Sequence, residues 1–156
     1  MKILLADEIN AENVKTSVND DLIVTCQFCV KVSGQFFPDK SWREMAVSVL
    51  RWWIVEVLEH CTSTCSEFDL PFMEGPLYIK CRKNNDLIRI ECIEDRDSLV
   101  IVCKEEIEMQ SLLKELYVSA TCLIRKIEQS NFGEVTELKW LKEWVIDLKE
   151  IVSNTA

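Results

Sequence analysis

The chain has 156 residues, 48% of them hydrophobic and 29% charged, with only three glycines and three prolines. That size and composition are typical of one globular domain over 1–156, and they exclude long linkers and low-complexity tails. Lys and Arg total 18 against 27 Asp and Glu, a net charge of -9. This charge argues against nucleic acid and anionic membrane surfaces as partners, and it favours a basic protein, because opposite charges speed encounter.

The number of cysteines raises the question of whether the protein belongs to an oxidising or a reducing cellular compartment. There are eight cysteines, an even number that a secreted protein could pair as disulfides. The first residues do not resemble a signal peptide. The sequence also contains no uninterrupted apolar run of 18 or more residues, the length that a transmembrane helix needs. We therefore expect a cytoplasmic protein whose cysteines are mostly thiols, several of them packed as small apolar side chains.

The first part of the chain predicts two strands. A short apolar strand is expected over 2–9, followed by a polar loop over 10–21. Apolar and polar residues then alternate over 22–37, the pattern of a half-buried strand. Gly34 and Pro38 are predicted to end it.

The first helix is predicted from a capping pattern and an apolar stripe. Ser41 is a good N-cap, and Glu44 three residues later completes a capping box. An apolar stripe that includes Trp42 and Trp53 runs at helical spacing and is wide enough to pack on more than one side. The helix should end over 60–64.

The remainder predicts a loop over 65–76, then three strands and two helices. The strands are expected over 77–83, 87–94 and 99–104, and their short, turn-rich connections force antiparallel neighbours. The helices are expected over 108–128 and 134–153, with a break near Gly133. The predicted fold is α+β, an antiparallel β-sheet in the order ββαβββαα with helices packed on one face.

The sequence contains two candidate chemical sites. Cys26 and Cys29 form a C-x-x-C pair, and His60, Cys61 and Cys65 could add zinc ligands. However, residues three apart in a strand face opposite sides, and no helix begins at Cys29 to lower a thiol pKa for redox chemistry. His60 has no nucleophile motif beside it. We predict no catalytic residue, no metal ligand and no cofactor; a small Cys-rich metal-binding or redox regulatory domain is the alternative.

Residues suited to binding a protein are better represented. Trp140 and Trp144 lie one turn apart on the last predicted helix, displaced from its apolar stripe, and tryptophan is enriched at interface hot spots. Carboxylates cluster around the turn between the last two strands and beyond it. The predicted partner-binding residues are Glu91, Glu94, Asp95, Asp97, Glu105, Trp140 and Trp144. The alternatives are core packing for the tryptophans and an ordinary solvated surface for the acids.

Two segments carry a resemblance. S-W-R-E-M-A-V-S-V-L-R-W-W at 41–53 and F-M-E-G-P-L-Y at 72–78 resemble a pattern in small acidic bacterial proteins, which are similar to the immunity proteins of contact-dependent and polymorphic toxin systems. The resemblance covers about 41–107. It implies tight, non-covalent binding of one cognate toxin domain, often a nuclease, and it assigns no functional residue.

The function expected is therefore that of an immunity protein, not an enzyme. It would neutralise a basic toxin domain by covering its active site with an acidic surface. A third hypothesis is a small enzyme whose site is assembled only in space, which a deep pocket lined by several polar groups would favour. The oligomeric state is left open.

Overall fold

The computed structural model describes residues 1–15 and 20–154. Within these ranges the chain forms eight strands and three helices. They are β1 (Lys2–Lys15), β2 (Asp20–Val32), β3 (Gln35–Phe37), β4 (Arg43–Glu44), α1 (Ala46–His60), β5 (Cys65–Pro71), β6 (Leu77–Asn84), β7 (Leu87–Asp95), β8 (Leu99–Glu108), α2 (Met109–Gln129) and α3 (Thr136–Asn154).

The strands form two antiparallel sheets. In the first, β2 lies between β1 and β3 and also pairs with β4. In the second, the order is β5-β6-β7-β8, so that β8 is an edge strand. The turn between β6 and β7 is Asn85–Asp86, with Asn85 at φ 54°, as a two-residue hairpin turn requires.

Helix α1 is the centre of the molecule. It contacts the first sheet through β2, the second through β5, and both other helices. Trp53 of α1 packs edge-on against Phe28 and Phe72, with ring centroids 5.3 and 5.2 Å apart. Its indole N–H donates to the carbonyl of Pro71 at 2.7 Å, so this buried tryptophan keeps its polar atom satisfied.

The α+β class, the antiparallel pairing and the two C-terminal helices are confirmed, and the structure divides the strands between two sheets. The predicted loop over 10–21 is largely strand, although its residues 16–19 lie outside the described part. The predicted strand over 22–37 turns at Ser33 and Gly34, which have positive φ, and splits into β2 and β3. The predicted loop over 65–76 contains β5, which pairs with β6.

The predicted start of the first helix is also wrong. Ser41 donates its backbone N–H and hydroxyl to the Asp39 carboxylate instead of capping a helix. Glu44 pairs with Cys26 across β4 and β2, and α1 begins at Ala46 without a side-chain cap. Pairing with β2 therefore prevails over the local capping signal.

Candidate binding surfaces

The outer edge of the second sheet exposes a run of aliphatic residues. Among the described strands, β8 pairs only with β7. Its first four residues are exposed on both faces: Leu99 is 56% exposed, Val100 50%, Ile101 46% and Val102 37%. We call Leu99–Val102 the β8 edge. A pairing irregularity lies at its last residue, since Ile101 lies opposite Ile93 and Cys103 opposite Cys92, which leaves Val102 as an extra residue.

Carboxylates bracket the β8 edge. Asp95, the last residue of β7, and Asp97, in the turn after it, are exposed, and Glu94 lies 2.6 Å from the Nε atom of Arg96. Glu105 follows it and lies 2.8 Å from the amino group of Met1. From 94 to 108 the chain carries six acidic side chains and two basic ones, so both ends of the edge are acidic.

Glu91 lies apart from this exposed surface. It is only 5% exposed and forms ion pairs with Arg82 and with the Nε atom of Arg89, the latter at 3.1 Å. Arg82 also lies 2.8 Å from Glu67 on β5. The structure therefore places the Glu91 charge inside a network across the sheet rather than at the edge.

The two predicted tryptophans differ in exposure. Trp140 is 43% exposed, and the guanidinium group of Arg51 lies 5.1 Å from its ring centroid. It lines a cavity of about 280 Å³ between α1, α3 and β2, together with Trp52 and other apolar side chains. Trp144 is half-buried against the core.

The cavity beside Trp140 has one polar wall. The Glu137 carboxylate accepts a hydrogen bond from the Ser48 hydroxyl and lies 3.7 Å from the Nη2 atom of Arg51. The other side chains that line the cavity are apolar. In the described part of the chain, no hydrogen bond, ion pair or ring contact joins α3 to the predicted carboxylates of β7 and β8. The tryptophans and the acids are therefore two separate candidate surfaces.

The four cysteines of the alternative hypothesis are not gathered at one point. Cys26 lies in the core, whereas Cys29 is buried outside that core, as expected for residues three apart in a strand. Burial raises the pKa of Cys26 to about 11, which leaves its thiol protonated. Cys61 is half-buried and Cys65 is exposed.

His60 lies at the end of α1. Its ring stacks on Phe68, with centroids 4.8 Å apart and planes 2° from parallel, and its Nε2 atom is 3.9 Å from Glu56. Over residues 1–15 and 20–154, the one group of three potential metal ligands close enough to share an ion is Glu56, Glu59 and His60. It contains no cysteine, and it lies on a single turn of helix.

Sequence reasoning missed the β8 edge although a signal was present. Four aliphatic residues in succession cannot all face a core in a strand, because alternate side chains point to opposite faces. In a sheet with helices on one face, as predicted, alternate residues of this run would therefore face solvent. In this strand and the turn before it, the predicted binding residues were carboxylates and did not include these aliphatic side chains.

No family model, curated protein or solved structure matches the chain. No helix among the described residues is both long enough and apolar enough to span a membrane.

Proposed function

We propose that this protein is a non-catalytic binding domain that neutralises a basic protein, in the manner of an immunity protein acting on a toxin domain. One observation carries the proposal: four consecutive exposed aliphatic residues on a sheet edge, with acidic residues before and after them.

The apolar part of this surface supports association. Contiguous exposed aliphatic side chains are uncommon on monomeric proteins and mark interaction sites. Covering Leu99 to Val102 would remove apolar area from water, which is favourable by roughly 25 cal/mol per Å² before the costs of association. The β8 edge is thus suited to the dry centre of an interface.

The charged part supports the choice of a basic partner. Asp95 and Asp97 are exposed and form no ion pair in the described part of the chain. Rim charges of this kind raise the association rate more than they raise affinity. Trp140 and Trp144 stay predictions as partner-binding residues, on a second surface.

The test is the rate of association with a basic partner. The tagged chain is used as bait in a lysate of its own source cell, first at low and then at moderate salt. A basic protein that binds stoichiometrically and elutes with salt is then purified. Its association rate constant should fall steeply between about 0.1 M and about 1 M salt, as the screening length falls from about 10 Å to about 3 Å.

A matched pair of variants locates the charge effect. The double variant Asp95→Asn, Asp97→Asn should lower the association rate several-fold at low salt. The control Glu8→Gln, Glu12→Gln removes the same net charge from exposed positions on β1, outside both candidate surfaces, and should stay close to the unmodified protein. A salt-independent rate, or equal effects of the two pairs, would argue against the proposal.

A further inference from the structure

The backbone of the β8 edge is open on one side. Strand β8 forms its ladder with β7, and the opposite edge of a terminal strand leaves alternate N–H and C=O groups without a strand partner. Farther along, the edge is covered: β2 and β3 contact β8, and the Ser33 hydroxyl donates to the Lys104 carbonyl at 2.8 Å. The open stretch is therefore Leu99–Val102, long enough for a short added strand.

The side chains of the edge add an apolar surface beside this open backbone. Ile101 is 46% exposed, whereas Ile93, which lies opposite it on β7, is buried. Leu99 lies opposite Asp95. An added strand would meet aliphatic groups on both faces and carboxylates at both ends.

We propose that the basic partner contributes an extended segment that pairs with the β8 edge, with Val, Ile or Thr at its centre and Lys or Arg at both ends. The inference rests on the proposed function and specifies its docking mode. Main-chain hydrogen bonds supply the pairing, the aliphatic centre buries the exposed side chains, and the basic ends meet the bracketing carboxylates.

The charges disfavour a second copy of this chain as the occupant. Antiparallel self-pairing brings the 94–97 end of one copy, which carries three acids and one Arg, beside the 104–108 end of the other copy, which carries three acids and one Lys. Both ends have a net charge of -2, and like charges that face each other destabilise a strand pair. A segment with basic ends meets a net opposite charge at both places.

The first experiment uses a defined probe on the full chain. The probe is the synthetic peptide Lys-Arg-Val-Thr-Val-Ile-Thr-Val-Arg-Lys, and amide chemical shifts of the protein are followed by NMR. The largest changes should fall on Leu99–Val102. A control peptide of the same charge, with proline at its two central positions, should not bind, because proline cannot donate to a strand and is not tolerated within one.

The matched protein variants are Ile101→Lys and Ile146→Lys. Both residues are exposed, at 46% and 60%, so both variants should fold. Ile101→Lys places a positive charge in the proposed contact and should weaken peptide binding about tenfold or more, whereas Ile146→Lys on α3 should not. Circular dichroism and unfolding midpoints check that the two variants are equally folded.

Several outcomes would overturn the docking mode. They are equal binding of the proline peptide, shift changes centred on Trp140, and no binding up to about 1 mM peptide. A dimer in sedimentation that Ile101→Lys dissolves would assign the edge to a second copy. A basic partner with a salt-sensitive association rate that is unaffected by Ile101→Lys would overturn the docking mode alone, whereas the absence of any basic partner overturns the proposed function.

Discussion

Glu44 is a buried carboxyl group, 3% exposed, in the short strand before α1. It accepts a hydrogen bond from the backbone N–H of Met73 at 2.6 Å. Burial nevertheless raises the pKa of Glu44, because desolvation of the charged form outweighs the hydrogen bond that favours it. The folded protein therefore holds this proton more tightly than the unfolded chain does.

The stability that Glu44 contributes decreases as pH rises. With the folded-state pKa above the unfolded value, the contribution of Glu44 is fully present below the unfolded pKa and is lost as pH rises through the folded pKa. The Glu44→Gln variant keeps an acceptor for the Met73 N–H without the ionisation. Its free energy of unfolding, measured with urea between about pH 4 and about pH 8, should rise relative to the unmodified protein as pH increases.

Glu67→Gln is the control with the opposite sign. Hydrogen bonds from Lys80 and then Arg82 lower the pKa of Glu67. Its contribution is present above the unfolded pKa and is lost as pH falls through the folded pKa. The Glu67→Gln variant should thus lose stability relative to the unmodified protein as pH rises toward the ordinary Glu pKa of about 4.3, so its unfolding is measured from about pH 2 to about pH 5. A Glu44→Gln difference that is flat with pH would contradict the assignment.

Glu91 shows which residue placements were available from the sequence. A two-residue turn at Asn85–Asp86 fixes the register, so Arg82 lies opposite Arg89 and on the same face as Glu91. The predicted strands over 77–83 and 87–94 left three residues between them, which would set Arg82 opposite Ile88 and on the other face from Glu91, so the predicted hairpin had the wrong register. The further link from Arg82 to Glu67 could not be deduced either, because β5 was not predicted.

Among the elements, α2 and α3 were predicted to within one or two residues, whereas α1 and β5 were not. Long amphipathic segments carry their own period of 3.6 residues, so local pattern suffices for them. Strand β5 has a short alternation around Phe68 and Leu70, interrupted by Pro71 and visible only as a weak signal. The start of α1 depends on pairing with β2, a contact far away in sequence.

The connection between α2 and α3 depends on backbone conformation at Gly133. Its φ is +94°, and nothing lies within 4 Å of a Cβ built there. Gly133→Ala should therefore act through backbone strain alone. We expect a loss of about 1 kcal/mol in the free energy of unfolding, the strain being partly offset by lower entropy of the unfolded chain.

Lys139→Ala is the control for that change. Lys139 is exposed on α3, close in sequence, and should give a difference within about 0.5 kcal/mol. Both are measured by chemical denaturation. An equal or more stable Gly133→Ala protein would show that the turn relaxes to a conformation with negative φ.

At the scale of the molecule, the division into two sheets could not be predicted from the local pattern of apolar and polar residues. Periodicity reports which face of a strand is buried, and it does not report which strands share a sheet. The sequence therefore predicted the class, the antiparallel pairing and the acidic turn. The position of α1 between the sheets and the open part of β8 emerge only from the assembled fold.

The distribution of thiols tests that assembled fold. Only Cys65 and Cys122 are exposed among the eight free cysteines. Burial raises the pKa of Cys26, Cys29 and Cys61, and it acts in the same direction on the remaining buried thiols, Cys81, Cys92 and Cys103. Since the thiolate is the reactive species, burial and raised pKa both slow modification.

Titration with Ellman's reagent at neutral pH should therefore show two fast thiols in the folded protein and eight after denaturation. The double variant Cys65→Ser, Cys122→Ser should abolish the fast phase and leave the unfolding midpoint nearly unchanged, because both side chains are exposed. Fast modification of Cys26 or Cys29 would contradict the buried arrangement and would favour the redox alternative. Protection of Cys65 that a chelator removes would instead favour a metal site. Two fast thiols insensitive to chelator would agree with six cysteines shielded inside the fold and with no metal held by Cys65.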